Sequence, residues 1–167
     1  DFAYADLEFD GRRPASFLAE AGAREIGAEM FSMSKTYGMA GWRLGFVIGN
    51  AELVERLNLL GDHVRAGVFR PVQAAGVAAL TGPQGFIDEM VVAFQRRRNL
   101  VVDLLNKCPG ITCAKPEGAF YVFPNIQKTG KTSKDVERIM LDEGGVAGLS
   151  GTAFGSAGEG YVRFSYA

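Results

Sequence analysis

A lysine, two serines and an arginine lie close together early in this 167-residue chain, within Ser32-Met33-Ser34-Lys35 and Gly41-Trp42-Arg43-Leu44-Gly45. The lysine ends an apolar run containing Ala28, Met30 and Phe31, which reads as a strand delivering it to a turn. Both hydroxyls precede the lysine within three residues. Arg43 follows it by eight, among glycines that let backbone approach a ligand closely. An amine attacks an electrophilic carbon, a guanidinium grips a phosphate through its planar fork, and hydroxyls add short bonds to the same anion. A ligand carrying both an electrophilic carbon and a phosphate suits this set, and pyridoxal phosphate is such a ligand.

The scaffold that must hold these groups is legible as alternating patterns. Residues 1–11 read as an extended segment ending in an Asp10-Gly11 turn, and 16–20 as a short helical turn. Residues 26–34 and 44–49 read as buried strands. Asn50 is placed to cap a helix carrying Leu53, Val54, Leu57 and Leu60. Pro71 starts a helix over 72–81, and a long helix runs over 84–107 with Phe86, Met90, Ala93, Phe94, Leu100, Val101, Leu104 and Leu105 as its apolar stripe. Residues 111–114 and 119–123 around Pro116-Glu117-Gly118 predict a β-hairpin. Ser133 is expected to cap a helix over 134–143, and 146–149 and 161–166 predict two more strands. Strands with intervening helices give an α/β or α+β layering, with the long helix as a bridge between two lobes.

Composition narrows the chemistry. With 18 basic and 19 acidic residues the chain has no net field to draw it to nucleic acid or a membrane. Arg96-Arg97-Arg98 is expected on a solvated helix face. Cys108 and Cys113 match neither a CxxC pair nor a zinc motif, and His63 is the single histidine, so a His/Cys metal site is excluded and two reduced thiols are expected. His63 itself is expected at a surface or helix end. No apolar run reaches the ~18 residues of a membrane span, and no signal-peptide pattern is present.

Other signatures fail on a count. Lys35-Thr36 imitates the end of a P-loop, but Glu29 stands where its first glycine belongs. Asp6 opens an EF-hand-like run whose twelfth position is Phe17, which offers no oxygen. The glycines at 155, 158 and 160 run into a strand rather than a helix, against a dinucleotide fold. One histidine assembles no Ser-His-Asp or Cys-His set.

Taken together, Asp1-Phe2-Ala3-Tyr4, Ser32-Met33-Ser34-Lys35, Gly41-Trp42-Arg43-Leu44-Gly45, Pro116-Glu117-Gly118-Ala119-Phe120-Tyr121 and Tyr161-Val162-Arg163 resemble the class I/II (fold type I) pyridoxal-phosphate aminotransferases. The resemblance covers essentially the whole chain and corresponds to the C-terminal part of such an enzyme. The wording of residues 1–50 looks closest to the branch holding alanine aminotransferase-like and LL-diaminopimelate aminotransferase enzymes. The implied fold is α/β: residues 1–83 as the end of the large, mostly parallel-sheet domain, and 84–167 as the interdomain helix and small α+β domain. The chain begins with Asp1 rather than Met and is read as a piece of a longer protein.

The resemblance also implies roles. Lys35 becomes the Schiff-base lysine, which needs an amine with a lowered pKa, and then the proton shuttle. Asp1 pairs with the pyridine nitrogen of pyridoxal 5'-phosphate, keeping the ring an electron sink. Tyr4 meets the cofactor's 3'-oxygen. Ser32, Arg43 and, more weakly, Ser34 hold the phosphate, and Arg163, on an inward-facing strand position, clamps the substrate α-carboxylate. Trp42, Tyr37, Phe120 and Tyr121 read as packing or wall. Leu149-Ser150-Gly151 departs from the proline that family members often carry there, which bears on the loop before Arg163. The expected reaction moves an amino group between an amino acid (alanine/glutamate- or diaminopimelate-like) and a 2-oxo acid in a cytoplasmic homodimer, with the isolated chain inactive. Two alternatives stay open: a C–S β-lyase on the same scaffold, and an aminotransferase-like sensor domain of a transcription regulator.

Overall fold

A computed structural model describes residues 1–65 and 67–167, which form two compact units, Asp1–Val91 and Val92–Ala167.

The first unit is organised on a short antiparallel pair. After a 3-10 turn at Phe17–Ala19 and helix α1 (Ala23–Ile26), strand β1 (Ala28–Ser32) runs into a single helical turn, α2 (Met33–Thr36). Strand β2 (Gly45–Gly49) pairs with it from Ala28↔Gly49 to Ser32↔Gly45. The strand expected over 26–34 is therefore shorter, because Ser32 accepts from the Ser34 amide at 3.1 Å and starts a helix instead of continuing the ladder. Gly45 permits the pairing, since an added Cβ would stand 2.6 Å from the Phe31 carbonyl oxygen. Residues 1–11, expected extended, are mostly turns, although Phe2 N does donate to Met30 O at 2.7 Å. Leu7, Phe9, Met33 and Met39 form the buried core, flanked by Phe31 stacked on Phe46 at 5.0 Å. Buried Glu29 ties the 3-10 turn to β1, accepting from Ser16 Oγ and Phe17 N.

Helix α3 (Ala51–Val64) is capped by Asn50, whose Oδ1 accepts from Leu53 N at 2.9 Å as its position implied. His63 is exposed near its end. Val54 and Leu57 are half-buried, but Leu53 and Leu60 remain exposed. Helix α4 (Arg70–Thr81) follows, with Pro71 in its first turn and Gly76 receiving the Leu44 side chain. No helix among the described residues is long and apolar enough to cross a membrane.

The boundary between the units falls inside helix α5 (Gly85–Lys107). Its inward stripe differs from the expected one. Phe94, Val101, Val102 and Leu105 are half-buried while Leu100 and Leu104 are exposed, and Arg98 is fully buried among them. Arg98 is thus not on a solvated face. Its Nη1 donates to Pro116 O at 3.0 Å and its Nε and Nη2 to Asn99 Oδ1, which supplies the acceptors a buried guanidinium requires.

The expected hairpin across 116–118 does not form. Asn106 on α5 exchanges two bonds with the Cys113 backbone, donating to its carbonyl at 2.9 Å and accepting from its amide at 2.8 Å. That clip holds 111–114 to the helix, leaving only a bridge between Thr112 and Asn125. Strand β3 (Tyr121–Val122) pairs instead with the last strand. Helix α6 (Ser133–Asp142) is capped by Thr132 rather than Ser133. Ser133 is buried, and its Oγ accepts from Gly160 N and Tyr161 N. Strands β4 (Leu149–Ser150) and β5 (Val162–Ser165) complete an antiparallel sheet of order β3-β5-β4. Val122, Ile126 and Val162 are the buried apolar side of this unit.

Candidate functional site

The lysine-bearing turn is built by local hydrogen bonding. The Ser32 cap starts α2, buried Met33 and Thr36 anchor it, and Thr36 Oγ1 donates to Asp6 Oδ2 at 2.8 Å. Lys35, between the two anchors, is half-buried, with its Nζ 5.6 Å from the centre of the Tyr4 ring. The returning loop closes on the same place: Met39 N donates to Met33 O at 3.3 Å, and Met33 N to Leu44 O at 3.1 Å. Together with the Ser32↔Gly45 pairing, these bonds set Arg43 at the strand end from which α2 departs.

Arg43 follows a 3-10 turn at Ala40–Trp42 and takes φ 53°, a left-handed conformation uncommon for a side chain of its size. Its Nη1 donates to Ala40 O at 3.1 Å, one of the five donors a guanidinium carries. Ser32 Oγ accepts the Ser34 amide and keeps its own proton to donate. Tyr37 donates to Gln84 Oε1 at 3.0 Å. Burial first, and the Asp6 carboxylate second, raise its phenol above the ordinary range.

Asp1 is exposed, and its Oδ1 accepts from Ala3 N at 3.2 Å. With Phe2, Ala15 and Phe17 it lines a cleft of about 450 Å³ beside β1.

Arg163 belongs to the second unit. On β5 it pairs with Leu149 of β4, and strand alternation points it away from the face carrying buried Val162. The expected inward position is therefore on the sheet face opposite the unit's own core. There its Cζ lies 4.5 Å from the Tyr121 ring centre and 4.6 Å from that of Phe154. Tyr121 read from sequence as wall; its diagonal placement, with Tyr121 opposite Ser165, makes it a partner of Arg163. Phe154 carried no signal beyond its place in a glycine-rich loop.

Comparison with known proteins gives a consistent result. A family model described as aminotransferase class I and II matches residues 1–167. An LL-diaminopimelate aminotransferase of Desulforudis audaxviator is 44% identical over 165 residues, covering 99% of this chain and 42% of the relative. An L-glutamine–4-(methylsulfanyl)-2-oxobutanoate aminotransferase of Bacillus subtilis is 40% identical, covering 98% of this chain and 40% of the relative. The crystal structure of an aromatic aminotransferase from Pyrococcus horikoshii superposes with a TM-score of 0.93 at 39% identity, over 99% of this chain and 45% of that one. The chain thus spans about two fifths of the length of the curated relatives it matches.

Proposed function

Because this chain belongs to the class I and II aminotransferase family, we propose that it is the C-terminal portion of a pyridoxal-phosphate-dependent aminotransferase. In this reading, residues 1–83 close the large domain and 84–167 supply the interdomain helix and small domain. The single observation that carries it is the Met33–Leu44 bond beside the Ser32↔Gly45 pair, which sets the lysine-bearing turn and Arg43 at one strand end. A primary amine, two hydroxyls and a guanidinium are the donor set an aldehyde with a phosphate tail requires, so the residues present fit the cofactor.

When bound, pyridoxal phosphate supplies the electrophilic carbon and the electron sink. The chain's own residues do the rest. Ser32, Ser34 and Arg43 hold the phosphate oxygens, Asp1 holds a proton on the ring nitrogen, and Tyr4 donates to the 3'-oxygen. Arg163 binds the α-carboxylate in two bonds and so fixes which Cα bond is presented. Lys35 Nζ would take the proton from Cα and return it two bonds away, at the cofactor's C4'. Its partial burial and anchored turn limit how far the amine can stray.

The relatives' named activities, on LL-diaminopimelate and on L-glutamine with 4-(methylsulfanyl)-2-oxobutanoate, support an amino acid and a 2-oxo acid as substrates without selecting one pair. Exposed Leu60, Phe69 and Val77 in the first unit support their being covered in the full-length protein, by its remaining part or by a homodimer partner. The two free thiols support a reducing, cytoplasmic setting. Borohydride reduction of the full-length enzyme with pyridoxal phosphate, followed by peptide mass spectrometry, is expected to leave the label on Lys35. A label on another lysine, or an equally labelled Lys35→Ala protein, overturns the reading.

A further inference from the structure

Phe154 ends a 3-10 turn, Gly151–Phe154, and is 53% exposed, so core packing does not explain an aromatic residue there. Its surroundings hold it in place. Phe123 meets it edge-on at 6.0 Å, and Tyr161 stacks on Phe123 at 5.1 Å. The turn itself is pinned by glycines: a Cβ added at Gly151 or Gly158 would collide with the other's carbonyl oxygen. Ser150 Oγ and Thr152 Oγ1 are hydrogen-bonded at 2.8 Å across the start of the turn. The result is a fixed ring 4.6 Å from Arg163 Cζ, with Tyr121 at 4.5 Å from the same carbon.

We infer that Phe154 is a positioning residue for Arg163, forming with Tyr121 an aromatic clamp that presents the guanidinium's N–H edge to the substrate α-carboxylate. The inference rests on the assignment of Arg163 to that carboxylate. The five N–H donors of a guanidinium lie in its plane, so rings packed on the group consume none of them. Stacking also removes water and limits the rotamers of a long side chain that otherwise loses freedom when ligand binds. Phe154 touches no reacting atom in this account and acts through Arg163 alone.

The test uses the full-length enzyme and two probes: its best amino acid from a proteinogenic panel, and the amine in which hydrogen replaces that carboxylate. Phe154→Leu is expected to raise KM for the amino acid about fivefold, with kcat changed less than about twofold and the amine unaffected. Phe154→Trp, which keeps a ring, is expected to restore the KM. In an Arg163→Ala background, Phe154→Leu is expected to add nothing. If Phe154→Leu leaves both probes unchanged, or shifts both equally, while Arg163→Ala still abolishes the preference for the amino acid, the clamp is wrong and the Arg163 assignment stands. If Arg163→Ala retains that preference, both fall.

Discussion

Lys35 and Arg163 are held by opposite means. The lysine sits on one helical turn made by neighbours in the chain: a serine cap two residues from the amide it binds, buried Met33 and Thr36 on either side, and a loop that returns within ten residues. The arginine sits on a strand whose partners come from distant stretches, Tyr121 from β3 and Phe154 from a glycine loop. In the proposed reading, the first arrangement places the amine that would form a covalent bond, through backbone hydrogen bonds that tolerate little displacement. The second orients a flat cation by ring contact, which fixes its plane while leaving its donors available. The former would suit a group that forms a covalent bond, and the latter a group that recognises a carboxylate.

The comparison can be broken in order of expected effect. Lys35→Ala in the full-length enzyme is expected to lower turnover by roughly a thousandfold or more, measured with saturating amino acid, because the amine assigned to bond formation and proton transfer is lost. Activity within tenfold of wild type would mean the turn does not deliver the nucleophile. In the second unit, Arg98→Leu is expected to cost about 2–3 kcal/mol in denaturant unfolding, since Pro116 O loses its buried donor and the guanidinium leaves a gap. A smaller loss, below about 0.5 kcal/mol, would show that the 116–121 stretch bearing Tyr121 does not depend on the helix.

Arg43→Gly separates binding from strain within the first unit. Relief of the left-handed backbone and the flexibility of glycine nearly offset each other, so stability is expected to change by less than about 1 kcal/mol. Cofactor affinity, from titration of the apoenzyme, is expected to fall about tenfold or more with loss of the guanidinium. The smallest effect concerns alkaline pH. Tyr166 is buried beside Cys113 and donates to Ala119 O; burial foremost pushes its phenol up to about 12, against the pull of Arg98. The raised folded value means that its contribution to stability is complete below pH 10 and is lost as pH rises from about 10 through about 12. Urea midpoints across that range are expected to fall more steeply for wild type than for Tyr166→Phe. Parallel slopes would remove Tyr166 from the account.

Much of the first unit was legible without coordinates. The cap at Asn50, the turn after β1, and the lysine, serine and arginine spacing depend on contacts within a few residues, which local sequence encodes directly. The second unit was read less well. The hairpin at 116–118, the Ser133 cap and, within an arginine run whose Arg96 and Arg97 are indeed exposed, the solvated reading of Arg98 each looked sound locally and each lost to a distant partner: the Asn106 clip on Cys113, the Gly160 and Tyr161 amides on Ser133, and the Pro116 carbonyl on Arg98.

By itself, then, the sequence determined which reactive groups share one turn and strand end, because residue type and close spacing decide where an amine, a hydroxyl or a guanidinium can stand locally. Only the tertiary structure decided that Arg163 packs against Tyr121 and Phe154 and that Arg98 is interior. Which segments pair, and which polar side chain a helix buries, depend on residues far apart in the chain, and the periodicity within one segment does not name those partners.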